Sequence, residues 1–356
     1  MKILITSPSL DTNHNISGIS SLTRFIINYN TENEYIHFEL GRKDGEKRNL
    51  FWFFRILKTY FKWFNLLLTQ RGILIHFNLA LSKPSIIRDS PLIMIVHLFR
   101  KDMIIHIHGG EFLMQKKNPA WMNCLLRLVF SGKNPIIVLS PLEAKVLQQN
   151  YSCKKIFVLP NCIGLKEATE FCRLYPENEI LMLLFLGRIS LDKGIEYILQ
   201  AMELLKKKEI KFKFIMAGKG PEEISFIQKF NDLLGKDFEY KGVVSGNEKI
   251  ELLKKCNVFL LPSFFEGLPM ALIESMSFGL VPITTNVGSI DYVVNNGLNG
   301  IIINTHSSEE IASAIEILSK DKEYMQNLSK NAHQSIFNNF NPADYIIRLN
   351  EIYHYG

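Results

Sequence analysis

Two glutamates stand at a spacing that suits a long polar ligand. Glu266 and Glu274 lie eight positions apart, where an apolar strand pattern gives way to a helical one. If the helix opens near Gly267, with Pro269 in its first turn, Glu266 precedes the helix and Glu274 lies within it. Eight residues at helical rise span roughly 12 Å. The two carboxylates could therefore flank a sugar, a diphosphate and a ribose.

The start of the same helix would add backbone donors. The backbone amides of Gly267, Leu268 and Met270 have no carbonyl partner within the helix, because each helical N–H bonds to the residue four positions earlier. Such free amides at a helix N-terminus bind phosphate. The simpler alternative is that one glutamate caps the helix while the other faces water.

Two cations form a second candidate for phosphate binding. An apolar run at 180–186 ends in a glycine-bounded turn that carries Arg188 and Lys193, five positions apart. The planar guanidinium can make two hydrogen bonds to phosphate oxygens, and the lysine can act as a mobile point charge. The pattern predicts diphosphate binding at the end of this strand, and the alternative is a pair of solvated surface cations.

Histidines and glycines follow two other predicted strands. His106 lies within the apolar run at 104–107, and His108 and Gly109 follow it directly. Gly18 lies between the first predicted strand and the following helix at 22–28. Ligands of open parallel sheets bind at the carboxyl ends of the strands. We expect His108 to face a ligand and His106 to point to the other side and pack in the core. A plain turn glycine is the alternative for Gly18.

The elements that must position these residues alternate between strand and helix. The chain of 356 residues, 47% of them hydrophobic, is long enough for two domains with a core each. Near-continuous apolar runs predict strands at 3–5, 73–75, 92–96, 104–107 and 136–139, and then at 180–186, 212–217, 258–261, 281–284 and 300–303. A further strand is predicted at 239–244. Helical patterns separate them, so the class is α/β with parallel sheets covered on both sides.

These motifs resemble the E-x7-E, G-R…K-G and H-x-H-G motifs of retaining glycosyltransferases with the GT-B fold, of the family 4 type. The likeness is strong over 181–300 and weaker before 104. It implies two Rossmann-like parallel-sheet domains facing a cleft, with a C-terminal helix crossing back to the N-terminal domain. Residues 1–165 would bind the acceptor, residues 166–340 would bind the nucleotide sugar, and residues 341–356 would form the crossing helix.

The resemblance also implies a role for each candidate residue. Catalytic roles fall to Glu266, His108, Lys193 and Arg188. Donor binding falls to Arg188, Lys193, Glu266, Gly267, Leu268, Met270, Glu274, Gly18 and Val243, with Val243 near the base. Acceptor binding falls to Gly18, His108 and Gly109.

The implied reaction moves a hexose or N-acetylhexosamine, with retention, from a nucleotide-diphosphate sugar to a saccharide acceptor in surface polysaccharide biosynthesis. UDP is the favoured nucleotide, as the one most common in this family. The chain has no D-x-D after an apolar strand, so we expect no metal and no other cofactor: Arg188, Lys193 and the helix start would offset the diphosphate charge. The alternatives are a sugar-nucleotide epimerase on the same fold and a non-catalytic sugar-nucleotide-binding partner of a membrane assembly.

A basic, aromatic segment lies at 42–71, with eight Lys or Arg against two acidic residues. Read as a helix, it carries one polar stripe, made of Arg55, Lys58, Lys62, Asn65 and Thr69. Its cations argue against a membrane span and suit peripheral contact of 49–69 with an anionic membrane, which favours a lipid-linked acceptor. A core helix with snorkelling lysines is the alternative. No pattern typical of RNA- or DNA-binding domains accompanies it, so we expect no nucleic-acid partner.

Charge and cysteine use bound the remaining choices. The net charge is +6, and the five cysteines are scattered without metal-binding or disulfide spacing. The chain enters a strand pattern at its first residues, so we expect a cytoplasmic protein, with peripheral contact on the inner face of the cell membrane as the further possibility. Gly218 and Gly220 lack the third glycine of a dinucleotide fingerprint, which argues against an oxidoreductase.

Overall fold

The structure is a computed structural model and describes residues 1–11, 14–15, 17–41, 50–109, 119–131, 133–151, 153–164, 166–175 and 180–355. The chain divides into two compact units. Unit 1 comprises Met1–Asn161 and Pro342–Gly356, and unit 2 comprises Cys162–Asn341. The division thus falls after residue 161, whereas the sequence places it after residue 165.

Unit 1 is a six-stranded parallel sheet with helices on both faces. Its strands run in the order β2-β1-β3-β4-β5-β6. They are β1 (Lys2–Ser7), β2 (Glu34–Glu39), β3 (Leu74–Leu79), β4 (Met103–Ile107), β5 (Ile136–Val138) and β6 (Ile156–Val158). The helices before residue 161 are α1 (Gly18–Tyr29), α2 (Leu50–Thr69), α3 (Lys83–Leu98), α4 (Ala120–Phe130) and α5 (Pro141–Tyr151).

The two faces of this sheet differ in polarity. One face carries alternate apolar residues such as Phe77 and Ile105, which pack with Trp63 of α2 and Ile93 of α3 in one buried cluster. Alternation along a strand sends the intervening residues to the opposite face. On β3 and β4 these include polar side chains, which are described with the site below.

The sequence-based assignment of unit 1 contains one wrong prediction and two omissions. The predicted strand at 92–96 lies inside α3, where Leu92, Ile93 and Val96 are buried at helical spacing while Met94 is exposed. A short apolar run cannot by its periodicity distinguish a strand from a buried helix. The edge strands β2 and β6 were missed because both are short of apolar residues in sequence: in β2, EYIHFE, polar residues limit the apolar run to two, and β6 has only three residues.

Helix α2 has a buried side and an exposed apolar side. Trp63 and Leu67 are fully buried, and the Trp63 indole N–H donates to the Leu92 carbonyl oxygen at 3.2 Å. The opposite side is exposed and apolar, with residues recurring every three or four positions: Leu50, Phe54, Leu57, Phe61, Phe64 and Leu68. We call these six residues the outer stripe. Residues 42–49 of the predicted basic segment lie outside the described residues. Within the described ranges, no helix is both long and apolar enough to cross a membrane.

Unit 2 is a second six-stranded parallel sheet, with strand order β12-β11-β10-β7-β8-β9. Its strands are β7 (Leu181–Leu186), β8 (Phe212–Ala217), β9 (Phe238–Gly242), β10 (Val258–Leu261), β11 (Val281–Thr285) and β12 (Ile301–Ile303). Its helices are α6 (Lys166–Glu170), α7 (Ile195–Lys207), α8 (Glu223–Leu234), α9 (Gly246–Lys255), α10 (Met270–Ser277), α11 (Ser308–Lys320) and α12 (Lys322–Asn339). Short 3₁₀ segments lie at Leu191–Lys193, Gly235–Asp237 and Ile290–Tyr292.

The last helix, α13 (Pro342–Tyr353), belongs to unit 1. Its Asn350 accepts a hydrogen bond from the Asn30 side-chain amide at 2.7 Å, and Tyr353 is buried with its hydroxyl 2.7 Å from His76 Nδ1. Residues at the two ends of the unit's sequence therefore share one core.

Candidate active site

Close packing of two glycine-containing loops fixes the first part of the site in unit 2. The loops follow the neighbouring strands β7 and β8, and the Ile189 N–H donates to the Lys219 carbonyl oxygen at 3.1 Å. A Cβ atom at Gly218, whose φ is +126°, would lie 1.8 Å from the Gly187 carbonyl oxygen. One at Gly220 would lie 2.0 Å from the Ile189 carbonyl oxygen. The glycines are therefore needed for loop packing, which holds residues 187–189 at the carboxyl end of the sheet.

Lys193 and Glu266 form an ion pair across two loops. Lys193 Nζ lies 2.7 Å from Glu266 Oε1, and the Ser263 hydroxyl donates to the same oxygen at 2.7 Å. The Glu266 side chain is 8% exposed and that of Lys193 is 21% exposed. The structure thus brings together two residues that the sequence separates by 73 positions.

Backbone contacts hold this pair in place. The Phe264 N–H donates to the Asp192 carbonyl oxygen at 2.9 Å, which ties the Glu266 loop to the Lys193 loop. A Cβ atom at Gly288, with φ of +61°, would lie 1.8 Å from the Glu266 carbonyl oxygen. Only glycine allows the loop after β11 to approach the Glu266 backbone so closely.

Glu274 forms a second ion pair that the sequence did not predict. Its Oε1 lies 2.7 Å from Lys249 Nζ of α9, and the two side chains are 10% and 22% exposed. Lys249 was missed because it is one of several lysines on a polar helix and belongs to no recognisable motif. Both glutamates of the E-x7-E motif are thus buried carboxylates with a lysine partner, and neither faces water as a surface residue would.

Helix α10 begins later than predicted. Pro269 has an extended ψ of 125° and serves as the N-cap, so the first helical residue is Met270. Leu268, which precedes this proline, is buried and non-helical, as residues before proline commonly are. The 12 Å span derived from helical rise is therefore wrong, since only Met270–Ser277 is helical. Among the described residues, no acceptor meets the amide of Gly267 or Met270.

The remaining unit 2 candidates lie in the loops after β7 and β9. The Arg188 side chain is exposed, and no described residue forms an ion pair or hydrogen bond with it. Val243 follows β9 and is 39% exposed. Both are accessible, and no contact joins them to the Glu266 or Glu274 pairs within the described ranges.

The unit 1 candidate His108 lies directly after β4. Its backbone N–H donates to the Leu79 carbonyl oxygen at 3.0 Å, and its ring Nε2 lies 2.6 Å from Asn78 Oδ1. Burial lowers its pKa to about 3. Gly109 follows with a φ of +69°, a conformation that favours glycine.

His106 is buried as expected, but its predicted direction was wrong. Residues two apart on a strand lie on the same face, and the His106 and His108 rings are 4.1 Å apart between centroids. His106 Nδ1 lies 3.1 Å from His76 Nε2, and burial lowers the pKa of His76 to about 3 and that of His106 well below its usual value. The sequence-based predictions missed His76 and Asn78. They are polar residues two positions apart on β3, as His106 and His108 are at β4, and this repeated spacing could have identified them.

Gly18 is the first residue of α1, which therefore begins four residues before the predicted position 22. The Ser17 hydroxyl caps the helix by accepting from the Ser20 N–H at 3.3 Å. In the described parts of the chain, no group of three or more His, Cys, Asp or Glu side chains could hold a metal ion.

Solved structures define the class of fold. Sucrose-phosphate synthase from Thermosynechococcus elongatus aligns with a TM-score of 0.76 at 17% identity, over 99% of this chain and 98% of that one. HepE from Anabaena, in complex with UDP-glucose, aligns with a TM-score of 0.75 at 15% identity over the same shares. With its two helix-covered parallel sheets, the chain therefore has the GT-B fold of these glycosyltransferases, as predicted.

Sequence comparison finds a family match within unit 2. Residues 173–335 match the model of the family described as Glycosyl transferases group 1. This segment contains Arg188, Lys193, Glu266 and Glu274, so both ion pairs lie within the matched region.

Curated relatives share part of their length with this chain. The UDP-Gal:alpha-D-GlcNAc-diphosphoundecaprenol alpha-1,3-galactosyltransferase of Escherichia coli is 25% identical over 211 residues, 56% of this chain and 54% of that protein. The N,N'-diacetylbacillosaminyl-diphospho-undecaprenol alpha-1,3-N-acetylgalactosaminyltransferase of Campylobacter jejuni is 26% identical over 229 residues, 60% and 58% respectively. The chain thus spans a little over half the length of these two relatives.

Proposed function

We propose that the protein is a retaining, metal-independent glycosyltransferase. It moves a hexose or N-acetylhexosamine from a UDP-sugar to a saccharide acceptor in surface polysaccharide biosynthesis. The observation that carries this proposal is the Lys193–Glu266 ion pair at the carboxyl end of the unit 2 sheet. The family match over 173–335 and the transferases among the relatives support it.

The donor would be held by exchange of partners within unit 2. The diphosphate is negatively charged, so Lys193 can interact with it as well as with Glu266. Exposed Arg188 can add two parallel hydrogen bonds to phosphate oxygens. The amides of Gly267 and Met270 supply further donors to phosphate oxygens. As Lys193 turns to the phosphate, Glu266 becomes free to accept hydrogen bonds from sugar hydroxyls. Glu274 accepts from the ribose hydroxyls while Lys249 keeps its charge paired.

Metal independence follows from this supply of positive charge. The leaving diphosphate gains charge as the glycosidic bond breaks, and preorganised cations that face it lower the barrier. Arg188 and Lys193 provide two such charges without a metal. Turnover should therefore persist after dialysis against EDTA, and loss of turnover that Mg²⁺ restores would contradict this part of the proposal.

Retention would follow from attack on the face that the diphosphate leaves. The bond from the anomeric carbon to the phosphate oxygen breaks, the bond to the acceptor oxygen forms, and the leaving phosphate oxygen takes the acceptor proton. The pairing of Glu274 with Lys249 supports this route, because a carboxylate that keeps its lysine partner is a poor general base. NMR of the product should show the anomeric configuration of the donor.

The central test compares two lysine variants of unit 2. Lys193→Ala should lower the rate of sugar transfer about 100-fold or more, the loss typical of removing one preorganised transition-state contact. Lys208→Ala is the matched control, since Lys208 forms a 2.5 Å ion pair with Glu316 away from the site loops. The control should stay within about twofold of wild type, and equal effects of the two changes would remove the site assignment. A wild-type protein that interconverts UDP-sugars without an acceptor would instead be an epimerase.

We infer that the acceptor is lipid-linked and that α2 contacts an anionic membrane. The names of both curated relatives include an undecaprenol-linked saccharide. The outer stripe of α2 is flanked by exposed Lys58 and Lys62, and the helix contains no acidic residue. Rings and aliphatic side chains can enter the acyl boundary while lysines meet anionic headgroups.

Vesicle binding tests this inference. Phe54→Ser with Phe61→Ser should reduce co-sedimentation with phosphatidylglycerol vesicles, while phosphatidylcholine vesicles should bind the wild type weakly. Ile224→Ser, which changes an exposed apolar residue of unit 2, is the matched control. Unchanged sedimentation of the double variant would reject membrane contact. If the wild type proves to be a dimer and the double variant a monomer, the outer stripe is instead an interface between two copies.

A further inference from the structure

The hydrogen-bonding state of His108 decides what its ring can do to a substrate. A neutral imidazole carries one N–H donor and one unprotonated acceptor nitrogen. Burial lowers the pKa of His108 to about 3, so the neutral ring predominates near pH 7. Its side chain is partly exposed, and its Nδ1 meets no donor among the described residues. Nδ1 therefore either donates to a ligand or accepts from it, according to which nitrogen holds the proton.

Asn78, next to this ring, has its amide orientation fixed by its neighbours. Its Nδ2 lies 2.7 Å from the Thr6 carbonyl oxygen and 3.1 Å from Thr23 Oγ1. A carbonyl oxygen can only accept, so the nitrogen end must face Thr6, and two acceptors use both of its hydrogens. The Asn78 backbone N–H donates to Thr6 Oγ1 at 3.0 Å and anchors the residue. The side-chain oxygen is thereby directed at His108.

This orientation determines the tautomer of His108. Asn78 Oδ1 lies 2.6 Å from His108 Nε2, and an amide oxygen can only accept. Nε2 must therefore carry the hydrogen, and the neutral ring is left with its lone pair on Nδ1. The other titratable side chains described around this ring, His106 and His76 of β4 and β3 and Tyr353 of α13, are kept neutral by burial, so none of them supplies a charge.

We propose that Asn78 is a positioning residue that holds His108 in the Nε2–H tautomer, so that Nδ1 accepts a hydrogen bond from a hydroxyl group of the saccharide acceptor. The sugar contact rests on the proposed glycosyltransferase function, whereas the tautomer does not. A ring held in this state selects a group that can donate. It favours a hydroxyl over hydrogen or fluorine at the position that it contacts, because neither can donate to Nδ1.

Nitrogen NMR of the substrate-free protein tests the tautomer without any assay of activity. Two-bond proton–nitrogen correlations distinguish a protonated ring nitrogen from an unprotonated one, and a His108→Gln variant assigns the signals. We expect an unprotonated Nδ1 and a protonated Nε2 for His108 at pH 7. A protonated Nδ1 would overturn the proposal even if the protein transfers sugars.

Two variants test the part played by Asn78. Asn78→Leu removes the acceptor at similar volume, so His108 should show a mixture of tautomers and kcat should fall about tenfold or more. Asn78→Asp keeps an acceptor at Nε2 and covers the case in which the leucine variant does not fold. Its carboxylate raises the pKa of His108, and since imidazolium cannot accept, transfer should fall as the pH is lowered, with a midpoint above that of wild type. Unchanged nitrogen signals and an unchanged pH profile in the folded variants would overturn the positioning role.

Tyr353→Phe is the matched control. It removes a hydrogen bond from the same polar face, to His76, without touching Asn78 or His108. It should leave the His108 signals and the kcat unchanged within about twofold, and a change equal to that of Asn78→Leu would indicate a purely structural effect.

Substrate analogues test the sugar contact. Among saccharide acceptors with one hydroxyl replaced by fluorine, one should be a poor substrate for the wild type, and the same replacement should cause no further loss in His108→Ala. Equal sensitivity of both proteins to every analogue would overturn the contact. If no UDP-sugar supports transfer at all, the proposed function fails while the tautomer result stands.

Discussion

The two units use the same architecture to present opposite chemistries. Each is a six-stranded parallel sheet that carries a cluster of buried or partly buried polar groups. In unit 2 these groups are charged and paired, as in Lys193–Glu266 and Lys249–Glu274. In unit 1 they are histidines, kept neutral by burial and linked to amides and hydroxyls.

Under the proposed function, this difference would suit the two units to different partners. An anionic ligand is bound by charges that are already ordered, and pairing limits the cost of holding them in a partly buried place. A neutral polyol needs donors and acceptors of fixed direction, which a charge would not improve. A charge introduced into unit 1, or protonation of its histidines, should therefore lower stability. Screening of the charges in unit 2 should instead weaken ligand binding.

The largest effect is expected from placing a charge in the neutral unit. His76→Glu would bury a carboxylate on the face where His106 and Tyr353 offer no cation. An unpaired buried charge should destabilise the protein by about 3 kcal/mol or more. Urea denaturation followed by circular dichroism measures this, and the isosteric change Tyr353→Phe should cost only about 1 kcal/mol. A His76→Glu variant as stable as wild type would show that the face tolerates charge.

A smaller effect is expected from acid. The pKa of His76 is about 3 in the folded protein and about 6.5 when unfolded. Between these values the unfolded chain binds more protons, so stability must fall as the pH falls below about 6.5. At pH 5 this single histidine should account for about 2 kcal/mol.

Melting temperatures recorded from pH 7.5 to 4.5 measure this loss. His76→Gln should flatten the curve relative to wild type, whereas His354→Gln, which changes an exposed histidine at the end of the same unit, should not. Parallel curves for wild type and His76→Gln would contradict the assignment of a neutral buried ring.

The smallest effect is expected from salt. The Debye screening length falls from about 10 Å at 0.1 M to about 3 Å at 1 M ionic strength. Arg188 is exposed, so its interaction with an anion should be screened. The affinity for UDP measured by calorimetry should fall severalfold over this range. The melting temperature of unit 1, whose site carries no charged pair among the described residues, should change little. An affinity independent of salt would argue against binding by Arg188.

The sequence predicted most where a motif and a strand end coincided. Glu266, Lys193 and Arg188 each follow an apolar run, so both their identity and their place at the edge of the sheet could be inferred. Lys249 could not, because its partnership with Glu274 depends on the packing of two helices that no local pattern records. Asn78 was missed although it repeats the alternation of His108, since a lone amide on a strand carries no motif.

The errors in the fold have a similar origin. Residues 92–96 form a continuous apolar run that either a strand or a buried helix would show, and only the exposure of Met94 distinguishes them. Strand β2 forms an edge and needs no apolar run. The start of α10 at Met270 depended on the backbone conformation of Pro269, which the sequence restricts without determining.

The position of α13 affects the order in which the chain can mature. Its side chains Tyr353 and Asn350 complete the core of unit 1, yet they follow all of unit 2 along the chain. A ribosome must therefore translate unit 2 in full before unit 1 can close, although domains translated first generally fold first. In a released chain that is truncated before Pro342, unit 2 should resist protease while unit 1 remains susceptible to cleavage.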